Sequence, residues 1–517
     1  MGDQADRPAN SGAVLDRRRA GLLLHPTSLP GNSDTGDLGP NAYQFVDFLA
    51  SCGFSVWQML PVNPTHGNLS PYACQSIHAG NANLISLELL AAEGWLKKHD
   101  DEALAAEQPI VYRRARLREA HAGFLRSASA ANRQAYAAFK AKRAYWLENH
   151  ALFQALQEAY NGAPWWEWAT PLRDRDPQAL EQARGRLAQA IEQHRFEQFV
   201  FFRQWLALKR YANDRGILLF GDIPIFVAEN STAVWARRHY FRLDEQGRPL
   251  VVAGVPPDYF SATGQRWGNP LYDWERMRQD NFWWWRERVK NHLLLFDLVR
   301  IDHFRGFEAH WEIGGTEQTA VKGQWVKAPG EELFSTLQRE FHPLRLVAED
   351  LGTITPEVTD LRDRFGFPGM KILQFAFDGN PDNPYLPHNH VPNSVVYTGT
   401  HDNNTTVGWY QELPSETRRY VREYLGESTV DVAWLLLRTA FMSVAKLAVV
   451  PMQDVLGLGA ESRMNTPGID EGNWRWRFEW AQVPADLASR VHRVVRLYGR
   501  EVSEYPGAAP ALRPGMR

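Results

Sequence analysis

The chain has 517 residues, which is more than one ordinary core, although an α/β barrel can reach about 250 residues as one domain and often carries insertions. Its 57 basic and 60 acidic side chains give a net charge of −3, which excludes the basic footprint of a protein that binds nucleic acid or an anionic membrane. The chain has only two cysteines, no apolar run of membrane-spanning length and no apolar signal-peptide core, so a disulfide scaffold is excluded and a reducing cytoplasm is favoured.

Eight short, apolar, β-branched runs recur along the chain, and most are followed by a segment of helical periodicity. Continuous apolar runs are typical of parallel strands that are buried on both faces. Eight strands with intervening helices predict a (β/α)8 TIM barrel, with one catalytic domain over residues 19–506. The runs are Gly21–Leu24, Ser55–Val62, Ile217–Ile223, Leu294–Ile301, Leu344–Ala348, Met370–Phe375, Ser394–Thr398 and Leu447–Met452.

Two intervals between these runs are too long for plain connections. Residues 63–216 are rich in Ala, Glu, Gln and Arg at helical spacing, which predicts a mostly helical insertion with one long helix that begins at Pro177. Residues 226–274 are dense in Pro, Gly and aromatic residues, which predicts a second insertion made of a loop and a hairpin. Residues 1–18 and 507–517 have the composition of disordered tails.

Acidic residues lie at or just after the carboxyl ends of four predicted strands. They are Asp222 at the end of the third, Asp302 after the fourth, Glu349 after the fifth and Asp402 after the seventh. In a TIM barrel this end carries the active site, so all four acids meet at one rim. Arg300 precedes Asp302 by two residues and therefore lies on the same side of the strand. A guanidinium there favours the ionised form of Asp302, as a nucleophile requires.

Several acids on one rim admit three interpretations. In glycoside chemistry, one carboxylate attacks the sugar carbon and a second carboxylic acid protonates the leaving oxygen. Alternatively, the acids and nearby histidines bind Mg²⁺ or Zn²⁺. In the third, structural interpretation, the acids only cap helices or form ion pairs with Arg300 and Arg305. Four acids at matching positions disfavour the structural interpretation, and the metal interpretation gives Arg300 no role.

Tryptophan favours the sugar interpretation. The chain has 20 tryptophans, and flat aromatic faces match the apolar faces of pyranose rings. The Gly, Asn and Pro neighbours of Trp267 predict an exposed loop, and Ser70-Pro71-Tyr72 and Asn473-Trp474 show the same mixture of residues. Core positions are expected for Trp57, Trp146, Trp205, Trp434 and the run 283–285.

Seven motifs together resemble those of the 4-α-glucanotransferase, or amylomaltase, family, which is similar to the wider α-amylase clan. They are LLLHPTSLPG, GDIPIFVAENS, PPDYFSATGQRWGNPLYDW, VRIDHFRGFEAHWEI, VAEDLGTITPEV, YTGTHDNNTTVGW and NTPGIDEGNWRWRF. The resemblance implies a TIM barrel with inserted subdomains and no C-terminal β-sandwich. It also implies retaining transfer of an α-1,4-glucan segment to the 4-hydroxyl of an acceptor through a covalent glucosyl-enzyme, without a cofactor or metal.

The resemblance implies a role for individual residues. Asp302 matches the nucleophile, Glu349 the general acid/base and Asp402 the acid that stabilises the transition state. Maltooligosaccharides and glucans are the expected partners, and neither nucleic acid nor a membrane is expected. The expected location is the cytoplasm, and the sequence does not determine the oligomeric state. Substrate-binding positions are matched by Arg300, His303, His401, Asp222, Tyr72, Trp267, Ser70 and Asn473.

Two other classes of protein remain open from the residues alone. One is a metal-dependent barrel enzyme that acts on small acids, which insensitivity to EDTA and activity on maltotriose would exclude. The other is a non-catalytic glucan-binding module, which three intact acids disfavour. No motif displays whether water or a sugar accepts the glycosyl group.

Overall fold

The computed structural model describes residues 14–31, 35–97, 109–257, 261–426, 431–469 and 471–502. Twelve strands lie in this part of the chain. In order they are β1 (Arg19–Leu23), β2 (Val56–Gln58), β3 (Leu218–Ile223), β4 (Val251–Val255), β5 (Gln265–Pro270), β6 (Leu298–Ile301), β7 (Ala309–Gly314), β8 (Gly323–Lys327), β9 (Leu346–Ala348), β10 (Gly369–Ile372), β11 (Ser394–Tyr397) and β12 (Leu447–Pro451).

Eight strands form one parallel sheet, in the order β10-β11-β12-β1-β2-β3-β6-β9. Its two end strands approach each other, since the Ala348 amide donates to the Pro368 carbonyl at 2.9 Å and the Met370 amide to Asp350 at 2.7 Å. The sheet therefore nearly closes, and the predicted TIM barrel is confirmed. All eight predicted strands are present.

The two faces of the barrel strands supply two separate cores. The inward residues fill the barrel, and the outward residues pack against the surrounding helices. Both faces are apolar for this reason, which is why the strands appear in the sequence as continuous runs. The inward set includes Leu23, Val56, Phe220, Leu298, Val347, Ile372, Tyr397 and Val449. The outward set includes Leu22, Trp57, Leu219, Val299, Ala348, Val396 and Ala448.

Seventeen α-helices lie in the described residues. They are α1 (Pro40–Ser51), α2 (Leu87–Ala92), α3 (Pro109–Ser127), α4 (Ala130–Ala159), α5 (Thr170–Arg173), α6 (Pro177–Arg186), α7 (Ala188–Asn213), α8 (Thr232–Ala236), α9 (Trp274–Gln279), α10 (Trp283–Leu295), α11 (Gly330–Glu340), α12 (Pro356–Arg364), α13 (Thr406–Glu412), α14 (Ser415–Leu425), α15 (Val432–Met442), α16 (Met452–Leu456) and α17 (Leu487–Leu497). None of the described helices is long and apolar enough to cross a membrane.

The segment between β2 and β3 holds helices α2 to α7. The single long helix predicted from Pro177 is wrong, because the chain breaks at Leu187 between α6 and α7. Gly185 lies just before this break, where a glycine weakens the helix. α7 then runs from the insertion onto the barrel, where Trp205 is fully buried and its indole donates to the Leu295 carbonyl at 3.0 Å.

A second, antiparallel sheet lies beside the barrel, in the order β5-β4-β7-β8. Only half of it comes from the predicted insertion at 226–274, because β7 and β8 follow the barrel strand β6. The loop predicted around Trp267 is wrong, since Trp267 lies in the edge strand β5. Edge strands tolerate Gly and Pro, which concealed β5 in the sequence. The hairpin predicted near Gly247 is confirmed by the antiparallel Leu243–Pro249 bridge.

The chain ends also differ from the prediction. Most of both predicted tails, residues 1–13 and 507–517, lies outside the described residues, but residues 14–18 are folded onto the barrel. Leu15 is buried in the inner core, and Arg18 donates to the carbonyls of Ser443 at 2.6 Å and Phe441 at 2.9 Å. After β12, residues 452–469 and 471–502 contain no strand, so this part of the chain adds no β-sandwich.

We predict that Arg500 anchors the segment after α17 to the barrel. Arg500→Met should lower the free energy of unfolding by about 3 kcal/mol, because several buried carbonyls lose a charged donor. Urea denaturation measures the change. Arg496→Met, at an exposed position in α17, is the control, and equal stability of the two variants would contradict the prediction. The carbonyls that accept from Arg500 belong to Phe441 (2.7 Å), Ser443 (2.8 Å), Arg19 (2.9 Å) and Ala445 (3.0 Å).

Candidate active site

Three of the predicted acids meet at the carboxyl rim of the barrel. Asp302 and Glu349 directly follow the neighbouring strands β6 and β9, and Asp402 lies five residues beyond β11. The barrel ladder holds the first two in place, because the Asp302 amide donates to Ile223 at 2.9 Å and the Glu349 amide donates to Ile301 at 3.0 Å. The Asp302 and Asp402 side chains are 29% and 45% exposed, so both are open to the cleft above the rim.

Arg300 forms a buried ion-pair cluster beneath the rim. Its guanidinium lies 2.9 Å from Asp302 Oδ1, as the sequence predicted, and donates to Asp222 Oδ2 at 2.7 Å. The Tyr72 hydroxyl donates to the same Asp222 oxygen at 2.7 Å. The Asp222 side chain is 0% exposed and that of Arg300 only 6%. Both residues are therefore buried beneath the cleft, where Asp222 pairs with Arg300 and Arg300 pairs with Asp302. The substrate contacts predicted for them stay predictions.

The two neighbouring acids have raised pKa values. Burial raises the pKa of Asp302 to about 6 against the opposing effect of Arg300, so the guanidinium does not dominate as the sequence suggested. Burial likewise raises the pKa of Glu349 to about 7, with Arg300 lowering it and the charge of Asp302 raising it further. As the pH rises, Asp302 therefore loses its proton before Glu349 does.

Glu349 is oriented by backbone amides. Its Oε2 accepts from the amide of His303 at 2.6 Å, and its Oε1 accepts from the amide of Leu351 at 2.9 Å. His303 has a left-handed backbone with φ of 51°, which is uncommon for a residue with a side chain. Burial lowers the pKa of His303 to about 3, so its ring is neutral. Its Nε2 is buried and has no hydrogen-bond partner among the described residues.

Asp402 is held by three side chains. Its Oδ1 accepts from Asn465 at 2.6 Å, its Oδ2 lies 3.3 Å from His401 Nε2, and its carbonyl accepts from Arg463 at 2.6 Å. Burial opposes ionisation of Asp402, but His401, the Asn465 hydrogen bond and Arg300 together hold its pKa well below the usual range. Asp402 is therefore a permanent negative charge in the site.

Aromatic rings form the walls above the acids. Tyr72 stacks on His401 with ring centres 5.2 Å apart, and Trp474 lies 6.1 Å from Tyr72. On the other side, Trp267 is 39% exposed and its ring lies edge-on to His303 at 4.8 Å. The exposure predicted for Trp267 is thus confirmed. Ser70, Tyr72, Trp267 and Asp302 line one cleft of about 1140 Å³.

The loop after β12 contains two residues of the site that the sequence does not single out, Arg463 and Asn465. Asn473 was predicted to bind substrate, and this contact stays a prediction; its side chain accepts from the Thr466 amide at 2.9 Å and donates to the Ile469 carbonyl at 2.7 Å, so it also shapes the loop. The contacts to Asp402 come from Asn465 and Arg463. The only sequence signal for them was their position after the eighth strand. Within the described residues, no group of three His, Cys, Asp or Glu side chains is arranged to hold a metal ion.

This fold and this site define a class of protein. Two acids directly follow neighbouring barrel strands, one ion-paired and the other with a raised pKa, beneath a cleft with aromatic walls. Paired carboxyl groups of this kind are the machinery that breaks and remakes glycosidic bonds, and the aromatic rings suit sugar faces. The protein is therefore a barrel enzyme that acts on glycosides.

Comparison with known proteins identifies the family. The family model for 4-alpha-glucanotransferase, glycoside hydrolase family 77, matches residues 24–482. The 4-alpha-glucanotransferase of Thermus thermophilus is 51% identical over 483 residues, covering 91% of this chain and 96% of the relative. That of Synechocystis is 48% identical over 501 residues, covering 95% and 99%. An amylomaltase structure from Streptococcus agalactiae, in complex with acarbose, matches with a TM-score of 0.91 and 37% identity, covering 94% and 100%.

The chain belongs to the 4-alpha-glucanotransferase family, and the predicted resemblance is confirmed. It is an enzyme that transfers segments of α-1,4-glucan from a donor to an acceptor glucan.

We predict that Asn465 acts on the reaction through Asp402. Asn465→Ala should lower kcat about tenfold and change the KM for maltotriose less than about twofold, because interactions of Asp402 with the sugar strengthen in the transition state. Asn465→Asp should lower kcat further, since it brings a like charge to Asp402. Initial rates with maltotriose give both constants.

The control variant is Asn473→Ala, which distinguishes loss of the Asn465–Asp402 contact from a general disturbance of the loop. It disturbs the same loop without touching Asp402. An Asn465→Ala variant that behaves like Asn473→Ala, or that raises KM at unchanged kcat, would contradict this role.

Proposed function

We propose that Asp302 is the nucleophile and Glu349 the general acid/base of a retaining glucan transfer. The observation that carries this proposal is the unequal environment of the two acids. Asp302 is paired with Arg300 at 2.9 Å, whereas Glu349 accepts only from two backbone amides and has the higher pKa, about 7. One acid is therefore ionised while the other still carries a proton, as attack and leaving-group protonation require.

The transfer takes place in two displacements. In the first, an Asp302 oxygen bonds to the anomeric carbon while the bond to the glycosidic oxygen breaks, and that oxygen takes the proton of Glu349. The shortened glucan leaves. In the second, Glu349 removes the proton of the acceptor 4-hydroxyl, whose oxygen displaces Asp302 from the sugar. Two inversions restore the α configuration.

Asp402 stabilises the charge that develops between these states. The reacting sugar becomes positively charged and flattened, and a carboxylate that is always ionised favours this form. Its ionisation is supported by Asn465 and His401. Substrate contacts are proposed for Tyr72, Ser70, His401, His303 and Trp267, which line or face the cleft.

Transfer in preference to hydrolysis requires an acceptor sugar that is held beside Glu349. The Glu349 carboxylate contacts the His303 amide, and the His303 ring contacts Trp267. An exposed indole at this position offers a flat apolar surface to an acceptor ring. Incubation with maltotriose tests this function: longer and shorter maltodextrins indicate transfer, whereas glucose and maltose alone indicate hydrolysis.

The proposed setting of the enzyme is the cytoplasm, with glucans rather than nucleic acid or membranes as partners. The near-neutral net charge of −3 and the two buried, unpaired cysteines, Cys52 and Cys74, support it. We also propose that residues 19–506 form one catalytic unit, with the helical and β insertions as parts of its cleft.

We predict that the two acids respond differently to the leaving group. Asp302→Asn should abolish turnover of every donor, because no covalent intermediate forms. Glu349→Gln should lose about 10³-fold or more on maltotriose but still react with α-glucosyl fluoride, whose fluoride leaves without protonation. The slowed second step should then let a covalent adduct accumulate. Mass spectrometry of the digested protein should find the adduct on the peptide with Asp302, and an adduct on Glu349 or Asp402 would overturn the assignment.

We predict a bell-shaped pH dependence of kcat/KM with maltotriose. Activity should fall below about pH 6, as Asp302 gains a proton, and above about pH 7, as Glu349 loses one. The two acids titrate as an interacting pair, so the limbs belong to both. With α-glucosyl fluoride the alkaline limb should disappear, because no general acid is needed for the first displacement. An alkaline limb that is identical for both donors would contradict the role of Glu349.

A further inference from the structure

The cleft continues well past the reacting acids. It runs from Asp302 along Trp267 to a second, outer half, lined by Arg248, Leu250, Arg266 and Gly315, which we call the distal groove. The whole cleft measures about 1140 Å³, above the range of about 300–1,000 Å³ that is typical of small-ligand pockets. None of the residues of the distal groove takes part in the proposed chemistry.

One wall of the distal groove is fixed by the helical insertion. The Arg248 guanidinium lies 3.0 Å from Glu229 and 4.3 Å from the ring centre of Trp166, which belongs to the insertion. The neighbouring Trp165 is buried, and its indole donates to the Glu229 carbonyl at 2.9 Å. Arg248 is thus held between a carboxylate and an aromatic face while 47% of its side chain remains exposed to the cleft.

The opposite part of the groove is apolar and closely built. Leu250 is 54% exposed at the start of the small sheet. Gly315 packs against the strand beside it so tightly that a Cβ there would lie 2.1 Å from the Pro249 carbonyl. Arg266 donates to the Gly315 carbonyl at 3.0 Å. An exposed isobutyl group beside two planar guanidinium groups combines an apolar surface for a sugar ring with donors for its hydroxyls.

The position of Glu349 decides which part of the glucan reaches this groove. Glu349 accepts from the His303 amide, and the His303 ring contacts Trp267, which lines the cleft that contains the distal groove. We take the glucan chain attached to the oxygen that exchanges its proton with Glu349 to lie along Trp267. That chain is the leaving glucan in the first displacement and the acceptor in the second.

We propose that the distal groove binds the outer sugar units of the acceptor glucan, so that Leu250 and Arg248 set the preference of the enzyme for acceptor length. The proposal rests on the proposed role of Glu349. It also gives the helical insertion a function, since Trp166 and the Trp165–Glu229 contact hold the wall that the outer sugars touch.

The experiment measures acceptor kinetics as a function of length. α-Glucosyl fluoride serves as a donor with no leaving glucan, and glucose, maltose, maltotriose and maltotetraose serve as acceptors for the wild type and for the double variant Arg248→Gln/Leu250→Ser. The matched control is Arg278→Gln/Leu497→Ser. It removes an arginine that is ion-paired with Glu332 and a leucine that is 65% exposed, both outside the cleft lining.

For the wild type and the control, kcat/KM should rise with acceptor length. The distal-groove variant should lose about tenfold or more with maltotetraose and less than about twofold with glucose, at an unchanged melting temperature. An equal loss with all acceptors, an unchanged length dependence or a wild-type profile without any rise would overturn the proposal. If the groove proposal fails but transfer to glucose is retained, the catalytic assignment still stands. If the covalent adduct is found away from Asp302, the catalytic assignment fails whatever the dependence on acceptor length.

Discussion

The buried ion pair between Arg300 and Asp302 is the interaction on which the site depends. Arg300 is enclosed beneath the rim and faces two carboxylates, Asp302 at 2.9 Å and Asp222 at 2.7 Å. A buried charge is costly unless it is paired, so each member of this cluster requires the others. Asp222 and Tyr72 fix the guanidinium, the guanidinium fixes Asp302, and the balance between burial and this pairing places the pKa of Asp302 near 6. Asp302, the proposed nucleophile, is thus oriented by a buried ion pair beneath the cleft.

The barrel makes this arrangement possible because its strands have two buried faces. Inward and outward side chains fill separate cores, so the strand ends are rigid and the residues that follow them are held by the ladder itself. Asp302 and Glu349 are bonded through their own amides to the adjacent strands β3 and β6. The insertions add aromatic walls and a longer cleft, and the loop after β12 adds the contacts to Asp402.

The sequence predicts the barrel and its rim well because both depend on local patterns. A buried strand has a recognisable run of residues, and the next few positions must lie at the rim. The sequence does not predict the role of a side chain where that role depends on partners that are distant in the chain. Asp222 lies at the carboxyl end of β3, close in sequence pattern to Asp302 after β6, yet its carboxylate is buried and bonded to Arg300 and Tyr72. Asn473 and Asn465 are both loop asparagines, and only the fold of that loop decides which one reaches Asp402. The small antiparallel sheet was not predicted because two of its strands, β4 and β5, precede the barrel strand β6 in the chain and the other two follow it.

Helix α7 has a consequence for how the two main parts of the molecule move. It begins in the insertion, where Gln198 exchanges two hydrogen bonds of 2.8 Å with Gly80, and it ends against the barrel, where Trp205 is fully buried. One continuous helix therefore packs against both the insertion and the barrel, and it links the position of one to that of the other. A sugar that contacts the insertion is positioned through this helix relative to the barrel rim, so contacts made far from the chemistry contribute to its orientation.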